Sequence, residues 1–397
     1  MPRVAVTGLG LVLPQGVGLA SADAVFRGES AVAYLPGEAG PSGLTGAAVR
    51  DFAPPAGTEE ADRAVQFAVA AAEEAWRGAH LDAGGFDGRR VGVLVTLSKG
   101  AVFALARSAR QAAKPDWWTS AAPDAAALLI ASRFNVSGPI GAPVTACASG
   151  GHALLWAIRC IERGAADLAL AGAAEASLHP LVLGSYRRMG VLAEARSDPA
   201  TSVRPFSLTR RGFAVGEGAG VVVIESEVSA RRRGAQVLAY VAGWASGAQA
   251  GDLTGVEASG ETLARLMQLA LERAAVAPHD VDYIHAHGTA TATNDPAEAR
   301  AIRAALGPAA RRVSVSSTKG AHGHLLGAAA AVETVLTVLA IRRQEAPATA
   351  NLTDPDPAMG LDCTPLRPRA RSIHYAMKIA SGFGGQAVAL CLARPPA

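Results

Sequence analysis

Residues 143–163, PVTACASGGHALLWAIRCIER, pass from a β-branched run through a cluster of small residues into a long apolar segment. The first part predicts a short strand at 143–146 that runs into Cys147. The rest predicts a helix over 149–163, where Leu154, Trp156, Ile158 and Ile161 make nearly every side apolar. A helix of that kind lies inside a protein rather than on it. A cysteine at such a turn has two readings. It is a small buried hydrophobe, as most cysteines are, or it is a nucleophile. Unpaired amides and the dipole at a helix start lower a thiol pKa, which favours the second reading. The small residues Ala146, Ala148, Ser149, Gly150 and Gly151 leave room for a bulky group to approach the sulfur.

Outward from this stretch the same order of elements occurs twice. Val4–Leu13, VAVTGLGLVL, reads as a buried strand, 62–80 as a helix with Val65, Ala68, Val69, Ala72 and Trp76 at helical spacing, and 90–96 as a strand. A helix at 124–134 precedes the cysteine segment, and strands at 167–172 and 220–225 follow it. In the second half a helix at 261–275 leads to a strand at 281–286 that ends at His287, and a strand at 312–316 leads to Lys319, His324 and a small-residue helix at 325–341. The chain closes with strands at 376–381 and 387–393 around a Gly-rich turn. Alternation of this kind implies α/β architecture, with mixed or parallel sheets covered by helices. A duplicated unit places corresponding strand ends at one crevice, so Cys147, His287, Lys319 and His324 are expected to converge. The expected halves are 1–235, carrying the cysteine, and 236–397, carrying the histidines.

A lone histidine at a strand end is more often a structural hydrogen-bonder than a catalyst. His287 is followed by Gly288, Thr289 and Thr291, a turn that brings two hydroxyls near the imidazole. Lys319 and His324 sit across a glycine-containing turn, with Glu333 on the next helix as an ion-pair partner for Lys319. A lysine near two imidazoles keeps them neutral by like-charge repulsion, and neutral imidazoles donate hydrogen bonds through Nε2–H. His322 is read as turn surface. The turn Ser381-Gly382-Phe383-Gly384-Gly385 is weak evidence alone, but it frees backbone N–H groups for a developing oxyanion. A cysteine hydrolase needs one histidine and an orienting Asn or Asp, and has no use for a second histidine beside a lysine.

The chain has 397 residues, half of them hydrophobic and 18% charged, enough for a large core. A formal net charge of +3 gives no case for nucleic acid. The arginine runs at 187–188, 210–211 and 231–233 read as solvated surface. Four scattered cysteines make neither a disulfide framework nor a zinc site. With no signal peptide and no apolar run of the roughly 18 residues a membrane span requires, a cytoplasmic protein is expected.

Seven segments in order, VTGLGLVLPQG, DRAVQFAVAAAEEAW, TACASG, RPFSLTRRGFAVGEGAG, HGTATATNDPAEA, SSTKGAHGHLLGAA and SGFGG, cover almost the whole chain. Together they resemble the β-ketoacyl-acyl carrier protein synthases, in the Cys-His-His elongating branch. The resemblance implies a thiolase-like fold of two βα halves in five α-β-α-β-α layers, and a homodimer or a heterodimer with a related synthase. It implies that Cys147 holds the acyl group, that the amides of Cys147 and Phe383 form the oxyanion hole, and that Phe383 is a mobile gate. His287 and His324 would promote decarboxylation of malonyl-acyl carrier protein, with Lys319 and Glu333 in support and Thr289 and Thr291 binding the phosphopantetheine arm. The implied partner is acyl carrier protein. No nucleotide, metal or other cofactor is implied.

The starter-type synthases use Cys-His-Asn, whereas the third position here is His324; chain-length factors lack the cysteine. This chain departs from the family pattern at Ser207, Arg211, Ala330, Gln386-Ala387 and Lys99. Lys99 reads as a snorkelling lysine or core ion pair, or else as a sign of a polar acyl substrate. A non-elongating partner subunit and an acyl-thioester hydrolase or acyltransferase are the alternative functions. Acyl chain length and the choice between fatty acid and polyketide are not expected from sequence, and the Trp117–Trp118 pair has no assigned place near the pocket.

Overall fold

The structure is a computed structural model that describes residues 3–36, 43–110, 117–249, 251 and 253–396; the Trp117 and Trp118 side chains lie outside the described residues. The first eight principal elements are β1 (Val4–Leu13), α1 (Arg63–Gly78), β2 (Val91–Leu97), α2 (Ala125–Arg133), β3 (Ile140–Gly141), α3 (Ser149–Glu162), β4 (Leu168–Glu175) and β5 (Gly218–Ser226). The next eight are β6 (Ala239–Ala248), α4 (Glu261–Ala274), β7 (Val281–His285), α5 (Asn294–Leu306), β8 (Ser314–Ser316), α6 (Ala329–Arg343), β9 (Tyr375–Ser381) and β10 (Gln386–Ala393).

The strand order β8-β7-β9-β10-β6-β1-β5-β4-β2-β3 reads alike from either edge. From each edge the first two pairings are parallel and the next two antiparallel. The middle pairing, β1 with β6, is only Val4–Val241, Ala5–Tyr240 and Val6–Ala239. The strands therefore form two mixed sheets joined at a corner. Helices α3 and α6 fill the space between them, α1 and α2 cover the outer face of one sheet, and α4 covers that of the other with α5 packed against it. This is the five-layer α-β-α-β-α arrangement expected above.

The centre is dry. Leu154 and Ile158 of α3 share a core with Val332, Leu336 and Ile341 of α6 and with Val388 of β10. Each such side chain, fully buried, contributes about 1.5–3 kcal/mol relative to exposure. The two central helices approach closely at their first turns because the residues there are small. A Cβ placed on Gly150 would lie 2.7 Å from the Ala331 Cβ and 2.8 Å from its amide nitrogen.

Three expectations are corrected. Residues 143–146 form no strand: pairing with β2 stops at Gly141, because Pro143 offers no N–H and Ala146 must take a left-handed turn (φ 49°) to start the helix. Trp156 does not lie inside this chain; it sits over Gly141 of the edge strand β3 and is 42% exposed. The arginine runs are not all solvated, since Arg233 is nearly buried in an ion pair with Glu225, and Arg210 pairs with Asp356 at 2.8 Å.

Gly150→Val would force α3 and α6 apart. Overpacking typically costs about 1–3 kcal/mol, so the urea midpoint should fall at unchanged slope; an unchanged midpoint would mean the helices are free to separate.

Candidate active site

Cys147 lies in a single 3-10 turn, Ala146–Ala148, directly ahead of α3. The turn is closed by short polar contacts. The Thr145 amide donates to Ser149 Oγ at 2.9 Å, Ser149 Oγ donates to the Ala146 carbonyl at 2.7 Å, and the Ala148 amide donates to the Thr145 carbonyl at 3.1 Å. These bonds hold Ala146 in its left-handed conformation and present the cysteine at the end of the helix axis. The SGFGG turn seats against it from the other half of the chain. A Cβ on Gly382 would lie 2.8 Å from the Thr145 carbonyl and 3.0 Å from the Cys147 nitrogen, so only glycine permits this approach. The amides of Cys147 and Phe383 make no hydrogen bond within the protein among the described residues.

Cys147, His287, His324, Thr289, Thr291 and Phe383 line one pocket. The convergence expected from the duplicated order is thus present for the cysteine and both histidines. The imidazole rings of His287 and His324 are 5.4 Å apart and nearly perpendicular. His324 is gripped through its backbone: its amide donates to the Ala214 carbonyl at 2.7 Å, and its carbonyl accepts from Gly216 at 2.9 Å. Its Nδ1 accepts from the Leu326 amide at 3.3 Å, which places the ring proton on Nε2. The Phe213 ring stands edge-on to it at 4.9 Å. Thr289 and Thr291 hydroxyls bond one another at 2.9 Å.

Lys319 and Glu333 do not line the pocket but lie beneath it, both fully buried, with Nζ 2.5 Å from Oε1. Lys319 also donates to the His287 carbonyl. Burial alone would raise the Glu333 carboxyl, but Lys319 and Lys378 hold it well below the usual carboxylate range. Burial first, then Lys319, pushes His287 and His324 well below the usual imidazole range, so both are neutral. Repulsion from the lysine, the expected cause, is therefore the smaller one. The Cys147 thiol also departs from expectation: burial pushes it up to about 11, against the pull of Lys99 and Lys319. The free thiol is protonated at neutral pH, and the sulfur becomes nucleophilic only as its proton leaves.

His322 is not turn surface. It is fully buried, with Nε2 2.7 Å from Thr318 Oγ1 and Nδ1 2.8 Å from the Gly323 carbonyl. Lys99 makes a core ion pair with Glu175 at 3.2 Å, and Glu175 also accepts from Ser98 and from the Gly327 amide at 3.0 Å. Ser207, one of the departures noted above, donates to Asp354 at 2.7 Å.

Sequence reasoning missed Glu298 and Lys378. Glu298 accepts the amides of His287 (2.5 Å) and Gly288 (2.7 Å), and burial pushes it up to about 7. Lys378 stands on β9 with Nζ 2.6 Å from Glu333 Oε2. The readable signal was a single lysine within the apolar run AMKIA at 376–380.

A two-sheet, five-layer α/β fold with a cysteine and two histidines in one pocket defines a thiolase-like class of protein. The β-ketoacyl synthase N-terminal domain matches residues 1–230 and the C-terminal domain residues 238–353. The chain belongs to the β-ketoacyl synthase family. It is 37% identical to a putative polyketide β-ketoacyl synthase 1 of Streptomyces cyaneus over 99% of this chain and 98% of that protein. It is 36% identical to 3-oxoacyl-[acyl-carrier-protein] synthase 2 of Coxiella burnetii, with the same coverage. Among solved structures it is similar to a ketosynthase bound to a hexaketide and in complex with its type II PKS acyl-carrier protein (TM-score 0.92, 33% identity, 100% of both chains). It is also similar to the ishigamide ketosynthase/chain length factor (TM-score 0.89, 29% identity, 100% of both chains). Among the described residues no helix is long and apolar enough to cross a membrane.

Four histidines, His285, His287, His322 and His324, are buried with pKa values below the usual 6.5, His322 at about 4. The unfolded chain therefore binds more protons as pH falls, and stability must drop. The loss from these groups between pH 6.5 and 5.5 is up to about 4 kcal/mol, partly offset by Glu298, whose carboxyl, raised to about 7, takes up a proton in the fold over the same range; urea unfolding should show a net fall, and a rising profile would contradict neutral histidines.

Proposed function

We propose that this chain condenses an acyl group held on Cys147 with malonyl-acyl carrier protein, giving a β-ketoacyl-acyl carrier protein in fatty-acid or type II polyketide elongation. The observation that carries the assignment of roles is the pocket that joins Cys147 to two neutral histidines, with unpaired amides beside the sulfur.

In the first half-reaction the Cys147 sulfur attacks the thioester carbonyl, and the carrier thiol leaves with a proton. The Cys147 proton must depart in the same step, because burial disfavours a free thiolate. The amides of Cys147 and Phe383 stabilise the oxyanion. In the second half-reaction the malonyl carboxylate leaves as carbon dioxide, and its electron pair forms the enolate. The Nε2–H of His324 and His287 donate to the enolate oxygen, a role that requires them neutral. The enolate carbon attacks the acyl-Cys147 carbonyl, and collapse of the tetrahedral adduct expels the sulfur as a thiolate, which takes a proton from water to restore the thiol. Loss of carbon dioxide drives the bond formation, so no nucleotide takes part. Thr289 and Thr291 bind the phosphopantetheine arm, and Phe383, whose ring lies 6.5 Å from that of Tyr186, gates the acyl side.

The partner in both half-reactions is acyl carrier protein. A second copy of the chain, or a related synthase, pairs with the edge strand β3, where Ile140, Val144 and Trp156 are 38%, 51% and 42% exposed. The residues 1–235 and 236–397 act as the two halves of a duplicated unit, one bringing the nucleophile and the other the histidines. The reaction belongs in the cytoplasm, where the four unpaired thiols stay reduced.

Incubation with an acyl-carrier protein should add the acyl mass to Cys147, and malonyl-carrier protein should then discharge it as the β-ketoacyl product. An acyl-enzyme that only hydrolyses would make the chain a thioesterase, and no acyl-enzyme at all would make it a non-elongating partner subunit. Cys147→Ala should abolish condensation and leave the dimer intact; loss of the dimer would make the cysteine chiefly structural.

A further inference from the structure

Two buried lysines share one carboxylate beneath the histidines. Lys319 takes Glu333 Oε1, and Lys378 Nζ lies 2.6 Å from Oε2. Lys378 also bonds the backbone. Its Nζ donates to the carbonyls of Ile379 (2.5 Å), Ala286 (3.3 Å) and His285 (3.4 Å). Lys319 holds the next carbonyl, that of His287. The strand end that delivers His287 is thus held at three consecutive carbonyls by two ammonium groups, and at two consecutive amides by Glu298. Two ammonium groups and the Glu333 carboxylate lie under the pocket, with the Glu298 carboxyl, which burial pushes up to about 7, beside them.

We propose that Lys378 is a positioning residue for His287 in the malonyl half-reaction, fixing the 285–287 backbone and placing a positive charge under the site where the carboxylate and enolate form. The inference rests on the condensation reading above. Acylation of Cys147 draws on the turn at 145–149 and the amides beside the sulfur, none of which Lys378 touches, so the two half-reactions should respond differently to its loss. Burial pulls the Lys378 ammonium down to about 8 against the attraction of Glu333. The charged and titratable groups around it are Glu333 from α6, Lys319 and His322 from the turn at 319–322, His285 and His287 from β7 and its end, and Glu298 from α5. Lys378 is the one whose charge is lost as pH rises through 8, so decarboxylation should weaken on that alkaline side.

The test measures both half-reactions on the full chain, using rapid-quench mass of Cys147 with an acyl-carrier protein and carbon dioxide release with malonyl-carrier protein. Lys378→Met should acylate within about twofold of the wild-type rate and release carbon dioxide at least about tenfold more slowly. Lys378→Gln, which keeps a donor but drops the charge, guards against a folding failure and should show the same split. Lys378→Arg should restore most of the rate and move the alkaline limb upward in pH. Equal losses in both half-reactions, or wild-type carbon dioxide release in the Gln variant, would overturn the proposal. A wild-type chain that acylates but never consumes malonyl-carrier protein would instead overturn the condensation reading itself.

Discussion

The close contact of α3 with α6 at Gly150 and Ala331 is the constraint on which the site depends. These helices are the shared middle layer of the molecule, and each begins at a reactive turn. Cys147 stands one turn ahead of α3, and His324 precedes the turn that opens α6. Because the helices pack by their first turns, the residues ahead of them must face a common space. Bulk at that contact would separate the two turns before it disturbed either helix. The small residues that looked like access for a substrate therefore serve first to bring the two halves of the chain together.

Electrostatics in this space follow from burial. Among the described residues Glu333 is the carboxylate in ion-pair contact with Lys319 and Lys378, and without it two ammonium groups would lose that partner in the core, an arrangement of high cost. The same dryness keeps the imidazoles neutral and the thiol protonated. One environment thus suits the donors of a decarboxylation and opposes a standing thiolate. The chemistry this favours is concerted loss of the thiol proton during attack.

Much of this was legible in the sequence because the chain repeats itself. The order of helices and strands predicted mixed sheets covered by helices, the resemblance implied their five-layer stacking, and the corresponding turns predicted that Cys147, His287 and His324 would meet. The Lys319–Glu333 pair was readable because it lies within one turn and the following helix. Lys378 left only the trace of one charge in an apolar run, and Glu298 left none, since both act on backbone groups and nothing local marks a carbonyl or an amide as needing a partner. His322 was misread because a glycine-flanked turn looks exposed, whereas Thr318 and the Gly323 carbonyl satisfy both its ring nitrogens in the core. The direction of the Cys147 shift was misjudged for a related reason. A helix start is visible in sequence, but the depth at which it is buried is not.

The central claim is that the two halves assemble one reaction centre around an acyl group on Cys147. A crystal structure of the chain carrying that acyl group tests it most directly. The account predicts the thioester oxygen within about 3 Å of the amides of Cys147 and Phe383, with the imidazoles of His287 and His324 facing the vacant side of the carbonyl. A thioester oxygen turned away from both amides, or histidines directed elsewhere, would contradict it.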